Sequence, residues 1–323
     1  MARALQLARN GRLDTSPNPM VGAVIVTPDG RIIGEGWHRQ VGHGHAEVNA
    51  VASVKPSHRH LLREATMYVT LEPCSHYGRT PPCSKLIIDS GIPRVVVAMT
   101  DPFPAVSGRG VAMLREAGVE VVTGVMEAEA RALNRRFILA HTLGRPMVTL
   151  KWAMSADGFM DCSRDAGTLA CRFSTPLSLA AVHRLRACHD AILVGAGTAI
   201  ADNPSLDTRL WPGSRAPKRV LVDRRGRVPA SARLFSEPGC ICFTSAVRAD
   251  LPECVEQVIV APDAGPHDIV AALMERGITS VLVEGGAEML KAFIGAGLAD
   301  NIRVEQARFA LGSEGTAPAP KLG

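Results

Sequence analysis

The chain has 323 residues, 46% of them hydrophobic, and a formal net charge of +5. That length exceeds what one hydrophobic core usually serves, so two domains are expected, each with ample apolar content to bury. Lysines and arginines are spread along the chain rather than gathered in a patch, and no long uncharged apolar run occurs, which argues against a nucleic-acid footprint and against a membrane span. The opening "MARALQLARNGR" reads as an amphipathic helix without the apolar stretch of an export signal, so a cytoplasmic protein is expected. In that setting the eight cysteines read as reduced thiols rather than a disulfide framework.

In chain order, "VGAVIVT" and "RIIGEGW" alternate as strands joined by a hairpin turn at "PDG". "AEVNAVASV" has helical spacing, then come strand "TMYVTLE", helix "PPCSKLIIDSG", strand "RVVVAM", helix "GVAMLREAG" and strand "VEVVTG". One long helix is predicted over "EAEARALNRRFILAHTLG". "TLGRP" supplies a glycine stop and a proline breaker, which places the domain boundary at 145/146. Beyond it, strands "MVTLKWAM", "AILVG", "RVLVD", "CICFTS", "VIVA" and "SVLVEGG" alternate with helices near 176–188, 267–277 and 287–296. Such alternation implies an α/β architecture in both halves. The tail "SEGTAPAPKLG" reads as too polar and too rich in Pro and Gly to pack.

His45, Glu47, Cys74 and Cys83 form the first chemical constellation. Zinc takes nitrogen and sulfur ligands tetrahedrally, and a catalytic zinc keeps one position for water, so one histidine and two cysteines suffice. Glu47, two residues after the histidine, suits a general acid/base beside the metal. Pro73 and the pair Pro81-Pro82 would set each cysteine at a helix start, where the dipole favours a thiolate. His-x-Glu followed by Pro-Cys is the signature of zinc deaminases acting on nucleobases. The other six cysteines read as small buried hydrophobes.

"HAE" with "EPCSHYGRTPPC", preceded by "SPNPMVGAVIV" and followed by "DPFPAVSGRG", resembles the deaminase half of the bifunctional RibD family of riboflavin biosynthesis. The eight residues between the cysteines, including Gly-Arg-Thr-Pro-Pro, separate it from cytidine and tRNA-adenosine deaminases, which mostly have two. The resemblance implies a cytidine-deaminase-like three-layer α/β/α domain at 1–145. It would hydrolyse an exocyclic amine from 2,5-diamino-6-(5-phosphoribosylamino)pyrimidin-4-one, with zinc on His45, Cys74 and Cys83 and proton transfer by Glu47. Asn18 would meet the pyrimidine, and His43, Ser75, His76, Arg79 and Asp101 the substrate or its phosphate. Phe103 departs from the family's usual asparagine.

The segments "LKWAMSADGFM", "ILVGAGTAIADNPSLDTR" and "LVEGGAEML" each end a predicted strand, where ligands of α/β sheets bind. Two glycines before a helix let backbone N–H groups approach a phosphate. These segments look like the same family's reductase half, which implies a dihydrofolate-reductase-like α/β domain at 146–323 that uses NADPH to reduce the ribosyl group to ribityl. The implied cofactor contacts are Met154, Arg172, Thr198, Asp202, Gly286, Ala287, Glu288, Met289, Leu290, Lys291 and Ala292. The implied substrate contacts are Lys151, Asp157, Ala170, Arg186, Leu206, Arg209 and Glu284. Ala170-Cys171-Arg172 stands where the family usually has Ser-x-Trp; the arginine could stack as tryptophan does and attract the 2′-phosphate of NADPH. The chain also ends earlier than the family's usual length, which predicts a sheet edge in need of cover, as a partner subunit in a homo-oligomer would give. The competing reading is a deaminase whose second domain only binds or scaffolds. A deaminase acting on nucleic acid is disfavoured by the long inter-cysteine insert.

Overall fold

The computed structural model describes residues 1–77, 81–103, 107–163, 170–213 and 215–321. The chain divides into two compact units, Met1–Gly144 and Arg145–Gly323. Among the described residues no helix is long and apolar enough to cross a membrane.

The first unit runs α1 (Ala2–Ala8), β1 (Gly22–Val26), β2 (Ile32–Trp37), α2 (Ala46–Ser53), β3 (Thr66–Val69), α3 (Cys83–Asp89), β4 (Arg94–Val97), α4 (Arg109–Glu116), β5 (Glu120–Thr123), α5 (Glu127–Leu133) and α6 (Arg135–Thr142). Its sheet has the order β2-β1-β3-β4-β5, antiparallel across β2, β1 and β3 and parallel from β3 to β5. Strand side chains alternate between faces. Ala23 and Ile25 therefore pack with Ala46 and Ala50 of α2, Ile87 of α3 and Leu114 of α4, whereas Val24 packs with Ala4 and Leu7 of α1. Helices on both faces give the expected three layers.

Two glycines in β2 set the depth of α2. A Cβ on Gly36 would lie 2.3 Å from the Ala50 nitrogen, and one on Gly34 would lie 2.6 Å from the Ala50 oxygen. The helix thus rests directly on strand backbone. The single helix predicted over residues 127–144 is instead two, broken at Asn134 (φ −100°, ψ 20°). Its buried side chain spans both backbone groups of Met20, accepting from the nitrogen at 2.8 Å and donating to the oxygen at 2.9 Å. Helical spacing cannot show that a mid-helix polar residue will find better partners outside the helix.

The second unit comprises β6 (Met147–Met154), α7 (Pro176–Ala187), β7 (Ala191–Gly195), α8 (Ala196–Asp202), β8 (Lys218–Val222), β9 (Cys240–Thr244), β10 (Val255–Ile259), α9 (Pro266–Glu275), β11 (Ser280–Val283), α10 (Ala287–Gly295) and β12 (Asn301–Gln306). Every neighbouring pair in the order β10-β9-β8-β7-β11-β6-β12 is parallel. Leu193, Val220, Ile241 and Val283 face α9 and α10, while Ile192, Val194 and Leu221 face the other side with Ala199 of α8. β10 starts earlier than "VIVA" suggests, because an edge strand tolerates outward Glu256. At the other edge β12 carries Arg303 and Glu305, charges that oppose strand addition.

Cys240 and Cys242 are buried hydrophobes, with burial pushing their thiols up to about 12 and about 11. Cys162, Cys171 and Cys188 are only partly buried and Cys254 is exposed, contrary to the sequence reading.

The tail also differs from expectation, because polar backbone finds partners that side chains need not supply. Ala317 O accepts from Met160 N at 2.7 Å, Glu314 O accepts from Ser163 N at 2.7 Å, and Thr316 N donates to Asp161 O at 2.9 Å. Leu311 N and Gly312 N donate to the Asp157 carboxylate at 3.0 and 2.7 Å, and Ser155 Oγ adds a third donor at 2.5 Å. Asp157, expected to meet the substrate, is therefore engaged by the backbone just ahead of the tail. The Ser155 hydroxyl and these two N–H groups hold its carboxyl down at about 2, against an ordinary 3.8. A depressed carboxylate contributes docking that is fully present above its ordinary value and is lost as pH falls toward the depressed one. Amide exchange of Ser163 and Thr316 should accelerate as pH drops from about 4 to about 2, after correction for intrinsic rates. In Asp157→Ala it should be fast already at pH 6; protection unchanged in that variant would refute the tether.

Candidate functional site

In the first unit the two parallel crossovers bring the loop after β3 beside the starts of α2 and α3. His45 is the residue before α2, and Cys83 opens α3. Cys74 lies in the loop rather than at a helix start, a correction to the sequence reading. Its sulfur nevertheless faces a helix N-terminus, because Cys83 N donates to Cys74 Sγ at 3.3 Å. His45 Nδ1 lies 3.3 Å from Cys83 Sγ and 3.6 Å from Cys74 Sγ, and all three ligand atoms fall within 4.8 Å of one another. Bonds of about 2.0–2.3 Å in a tetrahedron put ligand atoms about 3.5–3.8 Å apart, so the set fits zinc. Exposed His45 and partly buried Cys74 leave the site open on one side, with Cys83 behind them.

The acid–base character of the cluster follows from burial and sharing. A hydrogen bond from the Cys83 thiol, with His45 nearby, lowers Cys74 well below the usual thiol range, while Cys83, sharing that bond and buried, is pushed upward. The neighbouring Cys74 raises His45. Glu47, in the first turn of α2, is 3% exposed, and desolvation pushes its carboxyl up to about 7. Burial likewise raises Asp101.

Asn18 approaches this cluster through His38, whose Nε2 is 3.2 Å from Asn18 Nδ2 and whose ring meets the His45 ring edge-on at 5.6 Å. His38 was not singled out from sequence; an isolated histidine after a strand carries no motif. Asn49 is a second such residue, donating to Trp37 O and Gly44 O at 2.8 and 3.0 Å and so fixing the loop before His45. His43 and His76 are exposed and Ser75 is partly buried, while Arg79 lies outside the described residues. Phe103 packs against the His141 ring at 5.4 Å, an apolar use of the position.

In the second unit the chain leaves β7 toward β8 and returns on its other side as β11, a topological switch point where α/β sheets bind ligands. A cavity of about 790 Å³ lies there, a volume suited to a dinucleotide. It gathers Ala170, Thr198, Asp202, Glu284, Gly286, Ala287, Glu288, Met289 and Lys291 from the expected set. Gly286 N donates to Thr198 Oγ1 at 2.8 Å, and a Cβ on Gly285 would lie 2.8 Å from Met289 Cβ, so the turn lies close over α10.

Several expected residues are not there. Leu290 is fully buried in the core and Met154 packs against that core, because only one face of a helix or strand can reach the cavity. Ala292 and Arg172 are exposed and do not line it. Leu206 takes φ 52° and turns its side chain into the core. Lys151 is outside the lining as well. Arg209 pairs with Asp207 at 2.7 Å. Arg186 makes a two-pronged pair with Glu284 at 2.8 and 2.7 Å, with side chains 15% and 9% exposed. Burial alone would raise Glu284, but the Arg186 hydrogen bonds win and lower it. Sequence reasoning missed Arg224, Arg225, Arg227 and Ser245, which line the cavity beyond β8 and β9. "DRRGR" at a strand end was the available signal.

Residues 1–99 match the family model of the cytidine and deoxycytidylate deaminase zinc-binding region, and residues 146–322 match that of the RibD C-terminal domain. The class is a zinc-dependent deaminase unit followed by a RibD-type second unit. Riboflavin biosynthesis protein RibD of Escherichia coli is 39% identical over 97% of this chain and 88% of its own, and that of Bacillus amyloliquefaciens 43% over 94% and 82%. A solved Thermotoga maritima structure, described as a diaminohydroxyphosphoribosylaminopyrimidine deaminase/5-amino-6-(5-phosphoribosylamino)uracil reductase, is 41% identical and superposes with a TM-score of 0.89, covering 98% of this chain and 88% of its own. The chain belongs to the RibD family.

Removing one partner of a buried ion pair strands the other charge at a cost of about 3–5 kcal/mol. Arg186→Met should lower unfolding stability by that order in denaturant titration, and Arg186→Met/Glu284→Leu should recover most of it. A double variant no more stable than the single would contradict the pairing.

Proposed function

We propose that this chain performs both reactions in the Thermotoga relative's name: hydrolytic deamination of the diaminopyrimidine ribosylamine phosphate in the first unit, then NADPH-dependent reduction of its ribosyl group to ribityl in the second. The observation that carries the first half is the convergence of His45 Nδ1 and two cysteine sulfurs beside buried Glu47. A zinc ion held by those three atoms supplies the Lewis acidity that makes water a nucleophile near neutral pH. Glu47 takes a proton from the attacking water and passes it to the exocyclic nitrogen, so that a C–O bond forms, the C–N bond breaks and ammonia leaves. Asn18, held by His38, positions the pyrimidine. His43, Ser75, His76 and Asp101 are the groups offered to the ribosyl phosphate; Arg79, implied by the family resemblance, lies outside the described residues.

For the second half, NADPH supplies the hydride. The N–H groups at the start of α10 bind the dinucleotide's phosphates, joined by the Thr198 hydroxyl, which Gly286 N holds in place. Glu284, fixed by Arg186, lines the same cavity and orients the sugar. Arg209 keeps donors beyond its Asp207 pair for the substrate phosphate. Both sites thus take small phosphorylated pyrimidines, in an enzyme of the cytoplasm.

Wild-type protein should hold one zinc per chain by atomic emission, and Cys83→Ser should lose it; full zinc content in that variant would sink the ligand assignment. Glu47→Gln should retain the metal while deamination, followed by ammonia release, falls by about 10²–10⁴-fold. Undiminished ammonia release would mean another group moves the proton.

A further inference from the structure

One wall of the second unit's cavity comes from outside its helices and its main sheet. Met160, Asp161, Ala317 and Pro318 line it from two segments that pair with each other. Residues 158–163 run antiparallel to 314–319 through bridges at Phe159–Pro318 and Cys162–Gly315. Backbone bonds of 2.7–2.9 Å join Met160 to Ala317, Ser163 to Glu314, Thr316 to Asp161 and Ala319 to Gly158. Little else fastens this ribbon to the body of the unit. From 156 to 163 and from 307 to 319 no residue is fully buried, and only Met160 and Ala319 pack against the main core. Segments secured by backbone bonds with few buried apolar contacts open at far less than the cost of global unfolding. Ahead of each strand lies a glycine with positive φ, Gly158 at 88° and Gly312 at 59°, with no atom within 4 Å of where a Cβ would stand. Small residues with room to turn are common where backbone angles change. Asp157 precedes the first strand, and its carboxylate accepts from Leu311 N and Gly312 N, ahead of the second, at 3.0 and 2.7 Å. One side chain thus ties together the two points on which the ribbon turns.

We infer that the ribbon is a movable wall that closes over the dinucleotide, and that Asp157 is the positioning residue that holds it closed. This rests on the reductase reading above. A ligand in the cavity touches Met160, Ala317 and Pro318 only while the ribbon is docked, so occupancy and docking favour each other by the same factor. Asp157 lies outside the cavity lining and acts through the ribbon. It governs how long the dinucleotide stays rather than how fast it arrives, because an open wall still admits ligand.

Two measurements on the full-length protein test it without turnover: amide exchange with and without NADPH, and the rate at which excess NADP+ displaces bound NADPH. In wild type, saturating NADPH should slow exchange at Met160, Ser163, Thr316 and Ala319 by about tenfold or more. Asp157→Ala should speed displacement by about tenfold and leave the association rate within about threefold. Asp157→Asn, which keeps one acceptor oxygen, should recover part of the difference. Ammonia release by the first unit and circular dichroism should match the wild type, showing that both variants fold. Ribbon exchange in the wild type that ignores bound NADPH overturns the inference and leaves the reductase reading intact. So does an Asp157→Ala protein that loses ribbon protection yet releases NADPH at the wild-type rate, or one whose weaker binding lies wholly in slower association. A wild type that binds no dinucleotide overturns both.

Discussion

The buried carboxylate of Glu72 accepts four backbone N–H bonds, from Asp101 at 3.1 Å and Gly108 at 3.0 Å on one oxygen and from Gly110 at 2.9 Å and Val111 at 3.2 Å on the other. Gly110 and Val111 belong to the first turn of α4, whose N–H groups have no partner within the helix. Glu72 precedes Pro73-Cys74 by one residue, so the loop that carries a cysteine sulfur is bound to the loop after β4 and to a helix start. No neutral side chain offers as many acceptor sites. The sulfur's position thus follows from charge-assisted bonds far more directional than apolar packing.

The second unit uses the same device where strands begin. Asp190 accepts from Thr279 N, Thr279 Oγ1 and Ser280 N at 3.0, 2.8 and 3.1 Å, tying the start of β11 to that of β7. Asp300 accepts from Val148 N at 2.8 Å and from Arg145, tying β6 to the segment before β12. With their entry ends aligned, β7 and β11, of five and four residues, finish together, and Gly195 and Glu284 at their exit ends line the cavity. Fixing one end of the sheet orders the chemistry at the other.

Much of this was legible in the sequence, for physical reasons. The expected strands and helices rest on apolar periodicity, which burial enforces directly, and the zinc-type set rests on residue types that few other roles assemble. What escaped depends on partners distant in sequence. Asn134 breaks a helix to reach Met20, and the tail's carbonyls and amides pair with residues 158–163. His38 matters only because the fold sets its ring against His45. Leu290 and Ala292 fall outside the cavity lining because a helix shows the cavity only one face of a contiguous motif. Asp157 and Arg186 were expected to meet the substrate, and the structure gives each a protein partner.

The bare backbone of Gly34 and Gly36 beneath α2 has a consequence for how finely the metal cluster is gauged. Ordinary carbon contacts lie near about 3.5–4.0 Å, so a methyl at Gly36, 2.3 Å from the Ala50 nitrogen, would have to lift the helix by about an ångström. His45 and Glu47 ride on that helix, whereas both sulfurs are anchored elsewhere, one through the loop of Glu72 and one on α3. Metal–ligand bonds tolerate errors of only about 0.2 Å. Two missing side chains in a strand thereby act as a spacer gauge, holding nitrogen-bearing and sulfur-bearing parts of the fold at coordination distance across a layer boundary.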